Sequence, residues 1–110
     1  MEEKRNSIRF TTNLNARYFS GESKGNGKEC TVINVSRNGT GLKFCTPEKY
    51  GIGSNLMLEI FVPNATDPIN VKGIVRWIRQ GEKDFIGGIE VTLKSDNEKL
   101  ADFIKFIVGI

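Results

Sequence analysis

Two long runs of alternating apolar residues constrain the fold of this chain more than any other feature. Every second residue from Leu56 to Val62 is apolar, and the same holds from Ile69 to Trp77 except at Gly73. A period of two places all of these side chains on one face of an extended strand. The sequence therefore predicts two long, half-buried strands joined by a turn at Pro63–Pro68.

Shorter runs of the same kind predict four further strands. Residues 10–18 alternate through Leu14, Ala16 and Tyr18, and a Gly/Ser-rich loop at 20–27 follows. Residues 30–35 read as a strand covered on both faces. The dipeptide Asn38-Gly39 is typical of a two-residue hairpin turn, and strands at 42–44 and 85–93 complete the set.

The period changes near the C-terminus. Leu100, Phe103, Ile104 and Ile107 follow the i, i+3, i+4, i+7 spacing of one helix face. Ser95 and Glu98 form a capping box that predicts the start of this helix, over residues 95–108. The chain is therefore expected to be all-β with one C-terminal helix, a small antiparallel barrel or sandwich whose open end the helix covers.

Three more apolar residues of the helix, Phe106, Val108 and Ile110, lie outside that stripe. They either widen the cover over the barrel or form a dimer contact. We favour the first interpretation, because a small domain has little other material to close its core. The sequence leaves monomer and homodimer open.

Length, charge and composition restrict the class of protein. A chain of 110 residues forms one domain. The net charge of +3 suits a small anionic ligand and is too low to indicate binding of a nucleic acid polymer. No stretch reaches the roughly 20 apolar residues of a membrane span, and the polar N-terminus does not resemble a signal peptide, so a cytoplasmic protein without membrane insertion is expected.

The residues that catalysis or metal binding would need are few. The chain has no histidine, and its two cysteines, Cys30 and Cys45, are expected to be reduced and apolar in character. These residues do not suffice for a metal site. The acidic residues form no evident pair for acid–base chemistry. We therefore expect neither an enzyme nor a bound cofactor.

Two clusters of polar residues point instead to a binding site. Arg5 and Arg9 stand four residues apart, and each offers a planar fork of donors for a guanine edge or a phosphate. Asn34, Ser36 and Gly39 follow as Asn-Val-Ser-Arg-Asn-Gly. The amide can donate and accept, the hydroxyl can donate to a phosphate, and the glycine permits close backbone approach.

The order of these clusters resembles the PilZ domain, whose signature is RxxxR followed by [DN]xSxxG. Residues 73–77 and Gly88–Val91 also look like late strands of that family, so the resemblance covers nearly the whole chain. It implies a six-stranded split-barrel-like fold with a capping helix, in a bacterial receptor for cyclic di-GMP. In such a receptor residues 1–9 would be a mobile ligand-binding arm and residues 10–93 the barrel.

The same resemblance assigns the ligand-binding residues as Arg5, Arg9, Asn34, Ser36 and Gly39, with Lys4 and Gly88 as additional candidates. A basic residue at the place of Lys4 accompanies two intercalated ligands in some members. Asn34 is expected to bind guanine less tightly than an aspartate would, since it can accept through one oxygen only.

Structural roles compete with ligand roles at several of these positions. Ser36 can stabilise its own turn, Gly39 can serve the turn alone, and a bulge explains Gly88 equally well. Trp77 lies in an alternating strand, so we expect it in the core rather than as a stacking platform.

The leading hypothesis is a receptor whose arm becomes ordered on cyclic di-GMP and creates a surface for a downstream protein. That protein would control motility, exopolysaccharide or virulence, as the resemblance implies. The alternatives are a PilZ-fold interaction module without ligand and, less favoured, a small basic barrel for single-stranded nucleic acid.

Overall fold

Six strands and one helix follow one another along the chain. The computed structural model describes residues 9–20, 27–63 and 65–107, with the side chain of residue 107 excepted. The strands are β1 (Arg9–Ser20), β2 (Lys28–Ser36), β3 (Gly41–Thr46), β4 (Asn55–Ile60), β5 (Ile69–Gln80) and β6 (Phe85–Val91), and the helix is α1 (Lys94–Ile107). Most of the predicted loop at 20–27 lies outside the described residues.

The strands close into an antiparallel barrel in the order β1-β2-β3-β6-β5-β4. Every strand thus has two hydrogen-bonded neighbours, and closure removes the exposed edges of an open sheet. The six-stranded barrel with one C-terminal helix, predicted from the alternation and the family resemblance, is confirmed.

The barrel interior is filled by the inward-facing residues of the alternating runs. Leu58, Ile60, Val71 and Val75 are all at most 1% exposed, as the two long runs predict. Burying one such side chain contributes roughly 1.5–3 kcal/mol, which is why register is strongly specified here.

Helix α1 closes one end of the barrel with part of its predicted face. Leu100, Phe103 and Ile104 are buried. Phe106 is 75% exposed, so the expectation that it widens the cover is wrong. Its position on the helix turns it away from the barrel, and Val108 and Ile110 lie outside the described residues.

The start of the helix differs from the prediction. It begins at Lys94, and the carbonyl of Leu93 accepts the first bonds from Asp96 and Asn97. Ser95 therefore lies inside the first turn rather than at the N-cap, as the capping box would require. Asp96 Oδ2 instead accepts a hydrogen bond of 3.0 Å from the backbone N–H of Lys72, tying the helix to β5.

Three register shifts interrupt the pairing of the strands, and one of them lies in β1 between Thr11 and Leu14. The other two are bulges that decide which side chains of the candidate site reach the outer surface. Strand β2 holds one extra residue relative to β3 between Val32 and Asn34. Strand β5 holds one extra residue relative to β6 between Val75 and Trp77. An extra residue reverses the side-chain alternation beyond it, because the period of a strand is two.

Candidate functional site

Four residues from four strands form a row on the outer face of the barrel. Asn34 of β2 lies opposite Lys43 of β3, which lies opposite Gly88 of β6, which lies opposite Trp77 of β5. Without its bulge, Asn34 would share the inward orientation of Val32. The bulges thus bring the second motif and the only tryptophan of the chain onto one surface.

Arg9 joins the two motifs. It is the first residue of β1, paired with Ser36, so it belongs to the barrel and not to the arm in which the sequence placed it. Its Nη1 donates a hydrogen bond of 2.9 Å to Asn34 Oδ1. Its Nη2 lies 3.8 Å from the position that a side chain of Gly41 would occupy, so the guanidinium lies over the start of β3.

Ser36 faces the turn that follows it and is only 1% exposed. Its Oγ accepts a hydrogen bond of 3.0 Å from the Gly41 N–H and donates one of 3.1 Å to Asn38 Oδ1. A contact between this hydroxyl and a phosphate stays a prediction. In the described geometry Ser36 organises the loop that carries Asn34 and Gly41.

Gly39 is fixed by the approach of the helix to that loop. The N–H of Gly39 bonds to the carbonyl of Ser36, which centres the turn on Arg37 and Asn38 rather than on the predicted Asn38-Gly39 pair. Gly39 then has φ 75°, a left-handed conformation that favours glycine. A side chain there would collide with the carbonyl of Asn97 in α1.

Gly88 makes room for Trp77. A Cβ atom at Gly88 would collide with the indole nitrogen, so the ring lies directly on the β6 backbone. Trp77 is half-buried on the outer surface, and the expectation that it belongs to the core is wrong. The bulge preceding Trp77 reverses its orientation, and the Gly87-Gly88 pair was the one sequence signal of a close approach there.

Two cations flank the exposed part of the indole. Lys43 Nζ lies 5.8 Å from the ring centroid and the Arg79 guanidinium carbon lies 5.6 Å from it. Both distances allow a cation–π attraction. A flat ring with flanking positive charge is suited to stack an aromatic group that carries negative charge nearby.

Arg9, Lys43, Gly88 and Trp77 line one groove of about 290 Å³, whereas Asn34 and Arg79 lie outside its walls. The residues on its walls are Arg9, Thr40, Gly41, Leu42, Lys43, Arg76, Trp77, Gly88, Ile89 and Glu90. Arg76 Nε and Glu90 Oε1 form an ion pair of 2.6 Å across the outer face. Three basic side chains against one carboxylate give the groove a positive potential that favours an anion.

A larger groove of about 580 Å³ lies toward the other ends of β1, β2 and β3. Arg17, Glu29 and Asp84 lie on its walls, and it contains no residue of either motif.

Burial raises the pKa of the Cys30 thiol beside this groove to about 12. Burial raises the pKa of Cys45 as well, with a further contribution from Asp84. Both thiols are therefore protonated at neutral pH and poor nucleophiles.

Metal-binding clusters and membrane-spanning helices were sought in the part of the chain that the structure describes. There, no three His, Cys, Asp or Glu side chains cluster closely enough to hold a metal ion. Over residues 9–20, 27–63 and 65–107, no helix has the length and apolar character needed to cross a membrane. Lys4 and Arg5 precede the described residues, so their position relative to the groove stays a prediction.

Comparison with known proteins identifies a family and a shared fold. The family model of the PilZ domain matches residues 3–108. No curated protein matches the sequence. Among solved structures, the Bacillus subtilis inhibitor of motility (MotI/DgrA) superposes with a TM-score of 0.72 at 17% identity. The superposition covers 97% of this chain and 53% of that one, so the chain spans about half the length of that protein, and at this identity the likeness shows the fold alone.

Proposed function

The chain belongs to the PilZ domain family of cyclic di-GMP receptors, and from that premise we propose that it binds cyclic di-GMP in the groove between Arg9 and Trp77. The observation that carries the proposal is the hydrogen bond between Arg9 and Asn34, which joins the two motifs on the surface that also carries the half-buried indole of Trp77. Family members act as receptors or adaptors, and we propose the same role here rather than an enzymatic one.

Each part of the ligand has a matching group in the groove. One guanine stacks on Trp77, a contact worth about 1–3 kcal/mol. The Arg9 fork donates to the O6 and N7 acceptors of that base. Lys43 and Arg76 attract the phosphates, and charge-assisted bonds of this kind are roughly twice as strong as neutral ones.

Two glycines and a serine support the site without the need for a ligand contact. Gly88 leaves space for the indole to pack on β6, and Gly39 leaves space for the helix to pack against the loop. Ser36 holds the loop closed through its hydrogen bond with Gly41. Their contribution to binding is to position Asn34 and Trp77. We propose that Arg5, and with it Lys4, contacts the second guanine or the phosphates.

The signal leaves through residues 1–8. We propose that they fold over the bound ligand and that the ordered segment and the ligand together form a surface for a downstream protein in the cytoplasm. Ordering the segment costs roughly 1–2 kcal/mol per residue in backbone entropy, which the contacts of Arg5 to the ligand offset in part. Motility, exopolysaccharide production or virulence are the proposed outputs.

Calorimetric titration of cyclic di-GMP into the protein, Arg9→Ala and Arg17→Ala tests this function. Arg17 lies on the same strand as Arg9, is also exposed and lies outside the groove, so it is a matched control for loss of charge. We expect Arg9→Ala to weaken binding about tenfold or more, the equivalent of roughly 1.4 kcal/mol, and Arg17→Ala to leave it nearly unchanged.

Absence of heat in the unsubstituted protein would overturn the receptor function and favour an interaction module without ligand. Equal weakening by both arginine variants would place the ligand elsewhere or reduce its binding to a general charge effect.

A further inference from the structure

Glu90 is an unexpected residue in a groove for an anion. It is the only carboxylate among the described residues that line this groove. Arg76 Nε donates to its Oε1, which leaves Oε2 available, and the side chain is 54% exposed. A negative charge beside two phosphates opposes their binding, so its position calls for a compensating role.

Guanine recognition requires acceptors as well as donors. The base presents O6 and N7 as acceptors and its N1–H and amino group as donors. Arg9, Lys43 and Arg76 can only donate. A groove that is lined by these cations alone reads one edge of guanine and leaves the donor edge without a partner, which is costly once water is excluded.

Asn34 cannot supply the missing pair of acceptors. Because a guanidinium only donates, the atom of Asn34 that faces Arg9 is the amide oxygen, at 2.9 Å. The remaining polar group of the side chain is its NH₂, which is itself a donor. A two-pronged contact to N1–H and the amino group needs two oxygens on one planar group, and a carboxylate provides them.

Glu90 stands where such a carboxylate would be useful. It lies opposite Gly41 on β3, over which the Arg9 guanidinium lies. It also stands two residues from Gly88, the seat of Trp77, which is a distance of about 7 Å along the strand. A base that stacks on Trp77 with O6 toward Arg9 presents N1–H on the neighbouring edge, within reach of Glu90.

We propose that Glu90 reads the N1–H and amino donors of the guanine stacked on Trp77, and so makes this groove selective for guanine over bases without the amino group. This inference rests on the proposed function, because it assumes that cyclic di-GMP occupies the groove. The ion pair with Arg76 holds the carboxylate in place while Oε2 accepts from the base.

Cyclic di-IMP tests the role directly, since hypoxanthine keeps O6, N7 and N1–H and lacks only the amino group. Both ligands are titrated into the protein, Glu90→Gln and Glu59→Gln. Glu59 lies on β4 outside the groove and matches the change in charge. A hydrogen bond to a charged acceptor is worth roughly tenfold in affinity. We expect the protein and Glu59→Gln to bind cyclic di-GMP about tenfold more tightly than cyclic di-IMP, and Glu90→Gln to bind the two about equally.

Each other outcome is decisive. Tighter binding of both ligands by Glu90→Gln, with their ratio unchanged, would mean that Glu90 only repels phosphate and would overturn the inference. An unchanged ratio with unchanged or equally weakened affinities would overturn it too. Both results leave the receptor function standing, since cyclic di-GMP still binds. Absence of cyclic di-GMP binding to the unsubstituted protein would overturn the function and the inference together.

Discussion

At the scale of single residues, the proposed site depends on the amide oxygen of Asn34 and on the absence of a side chain at Gly88. The amide oxygen of Asn34 orients Arg9 over the groove. The absent side chain of Gly88 lets the indole of Trp77 lie on the sheet. Arg9 and Trp77 are therefore positioned by contacts within the protein that exist before any ligand binds.

Gly88→Ala is expected to displace the indole of Trp77 from its packing position on β6. The added methyl group overlaps the indole, and relieving such an overlap typically costs 1–3 kcal/mol. Trp77 is the only tryptophan, so its emission spectrum reports the displacement directly. We expect a shift in emission and a loss of cyclic di-GMP affinity.

Gly51→Ala is the matched control for this substitution. At Gly51 an added methyl group meets only the hydroxyl of Ser54 at 3.6 Å, an ordinary contact. An unaltered spectrum in Gly88→Ala would contradict the close packing of the indole on β6.

Stability at alkaline pH should fall because of Cys30. Burial raises the pKa of its thiol to about 12 from an ordinary value of 9.0. The unfolded chain therefore loses this proton near pH 9 while the folded protein retains it to about pH 12. Across that window the free energy of unfolding decreases with rising pH, by at most about 1.4 kcal/mol per pH unit from this group.

Urea unfolding between pH 8 and 11 measures this decrease. We expect a shallower decrease in Cys30→Ala than in the unsubstituted protein. Cys45→Ala should change the slope less, because Cys45 is more exposed than Cys30. Identical slopes in all three proteins would contradict the buried, protonated state of Cys30.

At the scale of elements, bulges and a loop place the side chains of the proposed site. The extra residue in β2 turns Asn34 outward, and the extra residue in β5 does the same for Trp77. The loop between β2 and β3 lies against the first turns of α1, so the helix also supports the strand that carries Asn34.

A comparison of Gly39→Ala with Gly53→Ala should separate the cost of the helix contact from the cost of backbone strain. A non-glycine residue in the left-handed region costs roughly 1–2 kcal/mol, and the collision with the Asn97 carbonyl adds to that cost. Gly53 also has positive φ, at 93°, but has open space around it. We expect Gly39→Ala to reduce the free energy of unfolding by about 1–3 kcal/mol more than Gly53→Ala.

Urea unfolding of both variants gives this difference. Equal losses of stability would mean that the helix moves away from the loop at little cost, and Gly39 would then serve the turn alone.

For the molecule as a whole, the closed barrel resists a change of shape. The segment that we propose to carry the signal precedes the barrel in the sequence. Closure leaves each strand with two neighbours, so a change of shape within the barrel would break many hydrogen bonds at once. We therefore expect the conformational response to ligand in the residues that precede β1 rather than within the barrel.

Limited trypsin digestion tests that location. We expect cyclic di-GMP to slow cleavage after Lys4 and Arg5, because folding these residues over the ligand would keep them out of the active site of the protease. Cleavage after Lys83, in the exposed turn between β5 and β6, should keep its rate and serves as an internal control. Equal rates at Lys4 and Arg5 with and without ligand would contradict the ordering of this segment.

Local patterns were enough to predict the strands and the helix, because burial on one face imposes periods that are visible in the chain. The choice of a barrel over a sandwich came from the family resemblance. Alternation marked the strands, the i, i+3, i+4 spacing marked the buried face of α1, and the spacing of the arginine and Asn-Ser-Gly motifs pointed to the family. These signals are local, and each survives small errors in the boundaries of an element.

Which residues share the groove depends on the pairing of the strands and is not visible in any one segment of the sequence. An extra residue in a strand is defined relative to its neighbour, so neither bulge is visible in β2 or β5 alone, and both Asn34 and Trp77 would be assigned inward from alternation. Glu90 lines the groove for the same reason: it comes opposite Gly41, over which Arg9 lies, only because β6 pairs with β3. Contacts between strands distant in sequence depend on register, and register is fixed by packing of the whole barrel.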